Sequence, residues 1–336
     1  MKTRKIGNLD VSAIGMGCMC FSHGYGQIPE RSYSIEAIRE AYNAGCTFFD
    51  TAEAYGNVLY YEGHNEEIVG EAVEPFRNEA VIATKFHIHD EELADSFNLY
   101  ELIKGHLTKS LRRLRTDYVD LYYLHRVNQK IPLEEVAEGM GKLIEEGLIR
   151  GWGLSQVPVR IIENAHEITP LSAVQNIYSM VERGVEAEVI PYCLENNIGL
   201  VPFSPIASGF LSGKVKANTD FSHSDDVRKF VPQLKKENIE ANRPIIDLLE
   251  EYAEKKNSTN AQISLAWMLH KYPNVVPIPG SKNQERILEN LGAWNVELSK
   301  SEFSALEDAL NKIEVHGYRG FNETEGGSME DWGKKK

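Results

Sequence analysis

The feature that most constrains the fold is an alternation of short apolar runs with amphipathic helical stretches. Near-continuous apolar strands separated by helices are typical of a parallel sheet that helices cover on both faces. The helices tend to end on glycine or a short polar turn, as expected of C-caps. The predicted strands are Cys46–Phe49, Ala80–Thr84, Val119–Leu124, Gly151–Leu154, Ala173–Asn176, Ile198–Phe203 and Val275–Ile278. The predicted helices include Ser34–Ala44, Asn65–Val73, Leu99–Leu114, Leu133–Glu146, Val159–Ile168 and Glu186–Glu195.

The spacing of these units favours a closed (β/α)8 barrel. The interval between the sixth strand and Val275 is about twice the usual unit, so we expect one further strand within it. Eight units would form a single TIM-barrel domain over residues 1–336. The alternative is an open doubly wound sheet, which should carry G-x-G-x-x-G after an early strand. Gly15-Met16-Gly17 lacks the third glycine and begins no helical pattern, so the barrel is favoured.

Composition excludes several classes of function. The net charge is −14 and no stripe of Lys and Arg is present, which argues against a nucleic-acid partner. The longest uncharged run, residues 196–213, is broken by prolines and glycines, so we expect no membrane span. Four cysteines are too few for a disulfide scaffold and suit a reducing cytosol. Cys18-x-Cys20 does not have metal-site spacing, so we predict a soluble cytoplasmic protein without a metal.

Ionisable side chains stand at the ends of three consecutive predicted strands. Asp50 follows the first, Lys85 the second and His125 the third, and Tyr55 lies five residues after Asp50. In a barrel these strand ends meet at one rim, where the active site lies. Buried aspartate and lysine are rare unless paired, so we expect an Asp50–Lys85 ion pair. Asp50 alone could cap a helix and His125 alone could be a structural hydrogen-bonder, but the combination favours a catalytic role.

This set of residues is suited to moving a proton. A free tyrosine titrates near pH 10 and is a poor acid at neutral pH. We expect the neighbouring Lys85 ammonium to lower the pKa of Tyr55, and a drop of two units requires about 3 kcal/mol. His125 could hold a carbonyl oxygen in place. The arrangement fits a reaction in which a carbonyl oxygen becomes a hydroxyl.

The stretch Val275–Leu291 predicts an anion site. A strand ends in Pro-Gly-Ser, and a helix begins near Asn283. Backbone amides at a helix start bind anions, and Lys282 and Arg286 add positive charge there. Phosphate sites late in the barrel are common in this architecture. The alternative is a surface helix with ordinary charges.

The sequence resembles the aldo-keto reductase superfamily over nearly its whole length. It is most similar to the bacterial, fungal and plant branch that includes pyridoxal and small-aldehyde reductases. The resemblance implies that Asp50, Tyr55, Lys85 and His125 are the catalytic tetrad, with Tyr55 as general acid for reduction. It also implies hydride transfer from a nicotinamide, with NADP(H) as the cofactor. The matching stretches, in family order, are FFDTAEAYG, VIATKF, VDLYYLHRV, LIEEGLIRGWGLSQV, VQNIYS, VPFSPIASGFLSG and VPIPGSKNQERILEN.

The resemblance also implies the binding residues. Ser155, Gln156 and Gln175 match contacts to the carboxamide, although Gln156 stands where the family often has Asn. Phe203 would stack on the nicotinamide, and Met19 would lie near it. The expected pyrophosphate contacts are Ser204, Ile206, Gly209 and Leu211, and the expected adenosine 2′-phosphate and adenine contacts are Gly280, Ser281, Lys282, Arg286, Glu289 and Asn290. The expected substrate contacts are Phe21, His23, Tyr25, Phe86, His87 and Arg126.

Residues 213–243 are polar and are predicted to form a long loop, with a short helix at most, that covers the cofactor. The favoured function is NADPH-dependent reduction of a small-molecule carbonyl substrate, by a monomer or a homo-oligomer. One alternative is an NADP(H)-binding regulatory subunit with little turnover. Another is a sugar-phosphate isomerase, which would need a carboxylate base in the cavity.

Overall fold

The strands belong to two sheets, and those of the larger sheet all run parallel. The computed structural model describes residues 2–95 and 98–320. The strands in this part of the chain are β1 Thr3–Ile6, β2 Leu9–Ser12, β3 Met16–Gly17, β4 Phe48–Asp50, β5 Val81–Phe86, β6 Leu121–Leu124, β7 Trp152–Ser155, β8 Ala173–Gln175 and β9 Gly199–Leu200. β1 and β2 form an antiparallel hairpin, whereas β3 to β9 pair in chain order, each with the next.

Helices follow most strands and pack on one another around the sheet. α4 buries Ile103, Leu107 and Leu114 at helical spacing and exposes its other face, and Asn98 caps its first turn. The α-helices are α1 Arg31–Asn43, α2 His64–Val73, α3 Asp90–Asp95, α4 Leu99–Leu114, α5 Leu133–Glu145, α6 Val159–Ile168, α7 Val189–Glu195, α8 Lys236–Ala241, α9 Arg243–Lys256, α10 Asn260–Lys271, α11 Gln284–Gly292 and α12 Lys300–Leu310. Short 3-10 helices are Met19–Phe21, Glu74–Glu79, Gly184–Glu186, Ala207–Ser212, Val227–Phe230, Pro232–Leu234 and Ala293–Asn295.

The segment 274–280 closes the barrel between β9 and β3. The Val276 amide donates to Leu200 O at 2.8 Å, and the Gly15 amide donates to Pro277 O at 2.9 Å. Parallel bridges join Leu200 to Val275 and Gly17 to Gly280. Two prolines interrupt the ladder because they lack the N–H donor. The predicted barrel is therefore confirmed, and this segment is its eighth strand.

The position of the missing strand was wrong. The interval before Val275 holds α8, α9 and α10 but contributes no strand beyond β9 among the described residues. The barrel strand that was not predicted is β3, which has two residues, one of them glycine. A side chain at Gly17 would have its Cβ 2.9 Å from Ile278 O. Such a short strand, shaped by the close approach of its neighbours, shows no apolar period in the sequence.

The amino-terminal hairpin covers one end of the barrel. Ile6, Leu9 and Val11 are buried in one cluster with the first residues of the barrel strands, such as Phe48 and Val81. The carboxyl ends of the strands face the other way, so a cavity can form there. None of the helices in residues 2–95 and 98–320 has both the length and the apolar character that crossing a bilayer requires.

Candidate active site

Three neighbouring strands carry the predicted catalytic residues to one end of the barrel. Asp50 is the last residue of β4, Lys85 is the next-to-last residue of β5, and His125 directly follows β6. The His125 amide donates to Phe86 O at 2.8 Å, which continues the β5–β6 ladder to the histidine. The sequence prediction that these residues share one rim agrees with this placement.

Lys85 is the centre of a buried polar cluster. Its Nζ donates to Asp50 Oδ1 at 2.5 Å and to Thr51 O at 2.6 Å, and it lies 3.2 Å from Tyr55 Oη. The other Asp50 oxygen, Oδ2, accepts from Gln175 Nε2 at 2.8 Å. Burial acts to lower the pKa of Lys85, but Asp50 and Tyr55 outweigh it and the pKa is raised. The side chain therefore remains an ammonium.

Tyr55 lies in the loop after β4 with its phenol against the ammonium. Burial raises the pKa of this phenol above its ordinary value, and the opposing effect of Lys85 does not reverse the shift. We expected Lys85 to lower the pKa of Tyr55, and the net direction was wrong. Desolvation destabilises the phenolate more than the single Lys85 ammonium stabilises it. The phenol keeps its proton at neutral pH.

His125 is the fourth of the predicted catalytic residues, and its imidazole is neutral. Its ring packs edge-on against the Tyr55 ring, with centroids 5.8 Å apart. Burial, together with the positive charges of Arg126 and Lys85, holds the pKa of His125 well below its usual range. A neutral imidazole has one N–H donor, so it can donate to an uncharged oxygen beside Tyr55.

A cavity of about 590 Å³ opens at this end of the barrel. Asp50, Tyr55 and His125 line it, while Lys85 lies behind Asp50. The expected cofactor contacts that line the cavity are Met19, Ser155, Gln175, Phe203, Ser204, Ile206, Gly209, Gly280, Ser281, Lys282, Arg286, Glu289 and Asn290. The expected substrate contacts that line it are His23, Tyr25 and Arg126.

Several expected contacts lie outside the cavity wall. Phe21, Phe86 and Leu211 are fully buried in the core between sheet and helices. The Gln156 side chain bonds to the protein backbone instead, since its Oε1 accepts from the Ile177 amide at 3.1 Å. His87 is half-buried and also lies off the wall. Residue order in a strand and its loop did not reveal which of these side chains point inward.

Comparisons with known proteins agree on one family. The profile described as "Aldo/keto reductase family" matches residues 13–311. The chain belongs to the aldo/keto reductase family. It is 37% identical to "Probable aldo-keto reductase 1" from Glycine max over 93% of this chain and 89% of the relative. It is also 37% identical to "Aldo-keto reductase yakc [NADP(+)]" from Schizosaccharomyces pombe, over 94% of each. A solved aldo/keto reductase from Klebsiella pneumoniae, in complex with NADP and acetate, superposes with a TM-score of 0.71 at 26% identity, covering 96% of this chain and 100% of that one.

One end of the cavity of this aldo-keto reductase is suited to anions. Lys282 and Arg286 line it at the start of α11, whose N-cap is Asn283. Ser281 Oγ accepts from the Asn283 amide at 3.1 Å, which fixes the turn before the helix. Among the described residues the Arg286 guanidinium has no partner, so its charge is available to a ligand. The positive end of the α11 helix dipole adds to this attraction.

The segment after Phe203 forms a second polar wall. Ser204, Ala207 and Ser208 have φ values of 52°, 47° and 54°, and Gly209 has 96°. These left-handed φ values bend the segment into a compact turn, in which the Ala207 amide donates to Ser204 O and the Gly209 amide donates to Ile206 O, each at 2.9 Å. Ser208 is 6% exposed, and its Oγ has no hydrogen-bond partner among the described residues.

The fold brings wall residues to this aldo-keto reductase cavity that the sequence analysis did not identify. Arg319, from the segment after α12, is buried and donates from Nε to Ser204 Oγ at 2.9 Å. Arg228 and Lys214 come from the segment after β9, and Cys20 from the loop after β3. No local motif surrounds these positions. Only the basic character of Lys214, Arg228 and Arg319 in an acidic chain could have drawn attention to these three.

The segment 213–243 is more structured than predicted, since it contains two short 3-10 helices, α8 and the first residue of α9. Lys214, Val227 and Arg228 of this segment form part of the cavity wall. Asp225 anchors it there, because its carboxylate accepts from the Gly24 amide at 2.7 Å and lies 2.8 Å from His23 Nδ1.

Proposed function

We propose that this aldo-keto reductase uses NADPH to reduce aldehydes or ketones to alcohols, reversibly, with Tyr55 as the general acid. The observation that carries the proposal is the position of the Tyr55 phenol, which lines the cavity 3.2 Å from the Lys85 ammonium and packs beside neutral His125. A proton donor, a fixed positive charge and a neutral hydrogen-bond donor thus meet at one point. Aligned in this way, they suit proton transfer to a carbonyl oxygen.

The cavity wall fits NADP(H). Arg286, Lys282 and Ser281 would hold the 2′-phosphate, since the guanidinium is unused within the described protein. Gly280 has to be a glycine here, because a Cβ would lie 2.9 Å from Gly17 O. Phe203 is partly buried and lines the cavity, so its ring offers a stacking surface. The remaining proposed contacts are Met19, Ser155, Gln175, Ser204, Ile206, Ser208, Gly209, Glu289 and Asn290.

The bound cofactor would supply the hydride, and the chain's own residues would handle the proton. Tyr55 Oη donates its proton to the substrate oxygen as the new hydroxyl forms. The phenolate left behind is stabilised by Lys85, whose charge Asp50 holds in place from 2.5 Å. The raised pKa keeps Tyr55 protonated and ready to act as an acid. In the oxidation direction the same group accepts the proton, so oxidation is favoured at higher pH.

The decisive experiment measures NADPH oxidation by absorbance with a panel of aliphatic and aromatic aldehydes and ketones. Turnover of at least one carbonyl class, lost in Tyr55→Phe, supports the proposal. Tight NADPH binding without turnover of any carbonyl would favour a regulatory NADP(H)-binding role instead. The absence of both would remove the proposal.

A cytoplasmic location is part of the proposal. All four cysteines, Cys18, Cys20, Cys46 and Cys193, are free and buried. Unpaired thiols suit a reducing compartment.

A further inference from the structure

Glu53 lies between Asp50 and Tyr55 and is buried, although the proposed chemistry does not use it. The side chain is 4% exposed. Its backbone amide donates to Lys85 O at 3.1 Å, and its carbonyl accepts from the Gly63 amide at 2.7 Å. Glu53 therefore joins the Tyr55 segment to the end of β5 and to the far end of the same loop.

The Glu53 carboxylate is held from two sides. Oε1 accepts from the His87 amide at 2.8 Å, and Oε2 lies 2.9 Å from His106 Nδ1. His106 belongs to α4 and is 4% exposed. Its other nitrogen, Nε2, lies 3.1 Å from Glu92 Oε1 of α3, an ion-pair contact that is not aligned as a hydrogen bond. Both ring nitrogens thus face carboxylate oxygens, which requires a proton on each.

We propose that Glu53 and His106 form a positioning pair that fixes the Tyr55 segment against β5 and α4. The proposal rests on the proposed function, because the position of Tyr55 matters there. Neither residue lines the cavity, so each acts through Tyr55 rather than on the substrate. A buried imidazolium between two carboxylates ties three elements together: the loop after β4, the segment after β5, and α4.

The charge on His106 makes this link depend on pH. Burial acts to lower the pKa of His106, but Glu53 and Glu92 outweigh it, and the pKa is raised. Among the described residues, Glu62 also interacts electrostatically with His106, and the positive charge of Lys109 on the same helix opposes these acids. Because the folded pKa is raised, the stabilisation is complete below the unfolded value of about 6.5. It is lost as the pH rises through the folded value.

Three variants and a control test the pair. His106→Leu removes the charge and the donor, Glu53→Gln removes the carboxylate, and His106→Asn keeps a neutral donor near Glu53. The matched control is Asp120→Asn at the opposite end of β5. Asp120 is also fully buried, accepts from a β5 amide, that of Ile82, at 2.9 Å, and pairs with Arg77 at 2.9 Å.

Two measurements are made on each protein. Hydrogen–deuterium exchange of peptides covering residues 51–63 reports the segment directly and does not need turnover. Steady-state kinetics with NADPH and a carbonyl substrate reports its consequence. We expect His106→Leu and Glu53→Gln to raise exchange in residues 51–63 and to lower kcat roughly ten- to hundred-fold. The KM and the affinity for NADPH should change little.

The conservative variant separates positioning from general destabilisation. His106→Asn should recover much of the kcat at pH 7, and its kcat and exchange should no longer respond to pH where those of the wild type do. Asp120→Asn should lose thermal stability without faster exchange in residues 51–63.

Unchanged exchange of residues 51–63 in Glu53→Gln, a pH response of His106→Asn that equals that of the wild type, or an equal loss of kcat in Asp120→Asn would overturn the pair, even if His106→Leu does not fold. A wild type that reduces no carbonyl would remove the proposed function alone, since the exchange measurement would still decide the positioning pair.

Discussion

Replacing Arg286 by alanine should weaken NADPH binding without disturbing the fold. Arg286 lies in the first turn of α11, where only its backbone amide is used, donating to Asn283 Oδ1 at 2.9 Å. The guanidinium lines the cavity and has no partner among the described residues. Because no contact inside the described protein is lost, the thermal midpoint should stay unchanged.

The expected magnitude follows from the charge. A hydrogen bond to a charged group contributes about 1.5–3 kcal/mol, which corresponds to a rise in Kd of roughly 10- to 150-fold. NADH lacks the 2′-phosphate, so its Kd should not change. Lys282→Ala is the matched comparison, because Lys282 Nζ donates to Tyr25 O at 2.9 Å and to Gln27 O at 2.6 Å. Loss of the Lys282 side chain should loosen the loop that contains Tyr25 and Gln27, and should weaken the binding of both NADPH and NADH.

Isothermal titration calorimetry with NADPH and NADH, at one ionic strength, measures both constants for the wild type and each variant. Raising the salt concentration should shrink the difference for NADPH, since the Arg286 side chain is exposed and its charge is screened. An equal loss for the two cofactors in Arg286→Ala, or no loss for either, would refute the 2′-phosphate assignment.

Other substitutions address the proton and the buried charges. Tyr55→Phe should lower kcat for reduction by roughly 10²- to 10⁴-fold and leave the calorimetric Kd for NADPH unchanged; a large loss of binding would contradict a purely acid–base role. Lys85→Met leaves the Asp50 carboxylate, which is 2% exposed, without its cation. It should lower the free energy of unfolding in urea by about 3–5 kcal/mol. A variant as stable as the wild type would show that the two residues are not a buried charge pair. His125 and His106 should act oppositely on stability. The lowered pKa of His125 makes unfolding easier as pH falls below about 6.5, and the raised pKa of His106 makes it easier as pH rises above that value; urea titrations of His125→Gln and His106→Asn should each flatten one side.

The sequence was a good guide wherever one element carried the signal. The predicted helices Leu99–Leu114 and Val159–Ile168 match the structure at both ends, because their apolar faces repeat at helical spacing. Asp50, Lys85 and His125 could be predicted at one rim, since the carboxyl ends of parallel strands meet. Local pattern and barrel geometry together were sufficient for this part of the site.

Features that depend on packing between distant parts of the chain could not be predicted from local sequence patterns. β3 is too short to show an alternation of apolar and polar residues. The hairpin of β1 and β2 is defined by its burial under the barrel. The net pKa shift of Tyr55 required the degree of burial, which residue order does not give. Phe86 shows the same problem, because alternate residues of one strand face the cavity and the helices.

The largest contrast between sequence and structure concerns charge. The chain has a net charge of −14, yet the described cavity wall carries more cations than carboxylates. The cations are Arg126, Lys214, Arg228, Lys282, Arg286 and Arg319, and the carboxylates are Asp50 and Glu289. These cations are separated by up to 193 positions and are assembled only by the barrel, so no stretch of sequence shows a basic cluster. An anionic dinucleotide is therefore repelled by the protein as a whole and attracted only near the wall. Screening acts over about 8 Å at physiological ionic strength, so moderate salt should first assist the approach before it weakens the contacts themselves.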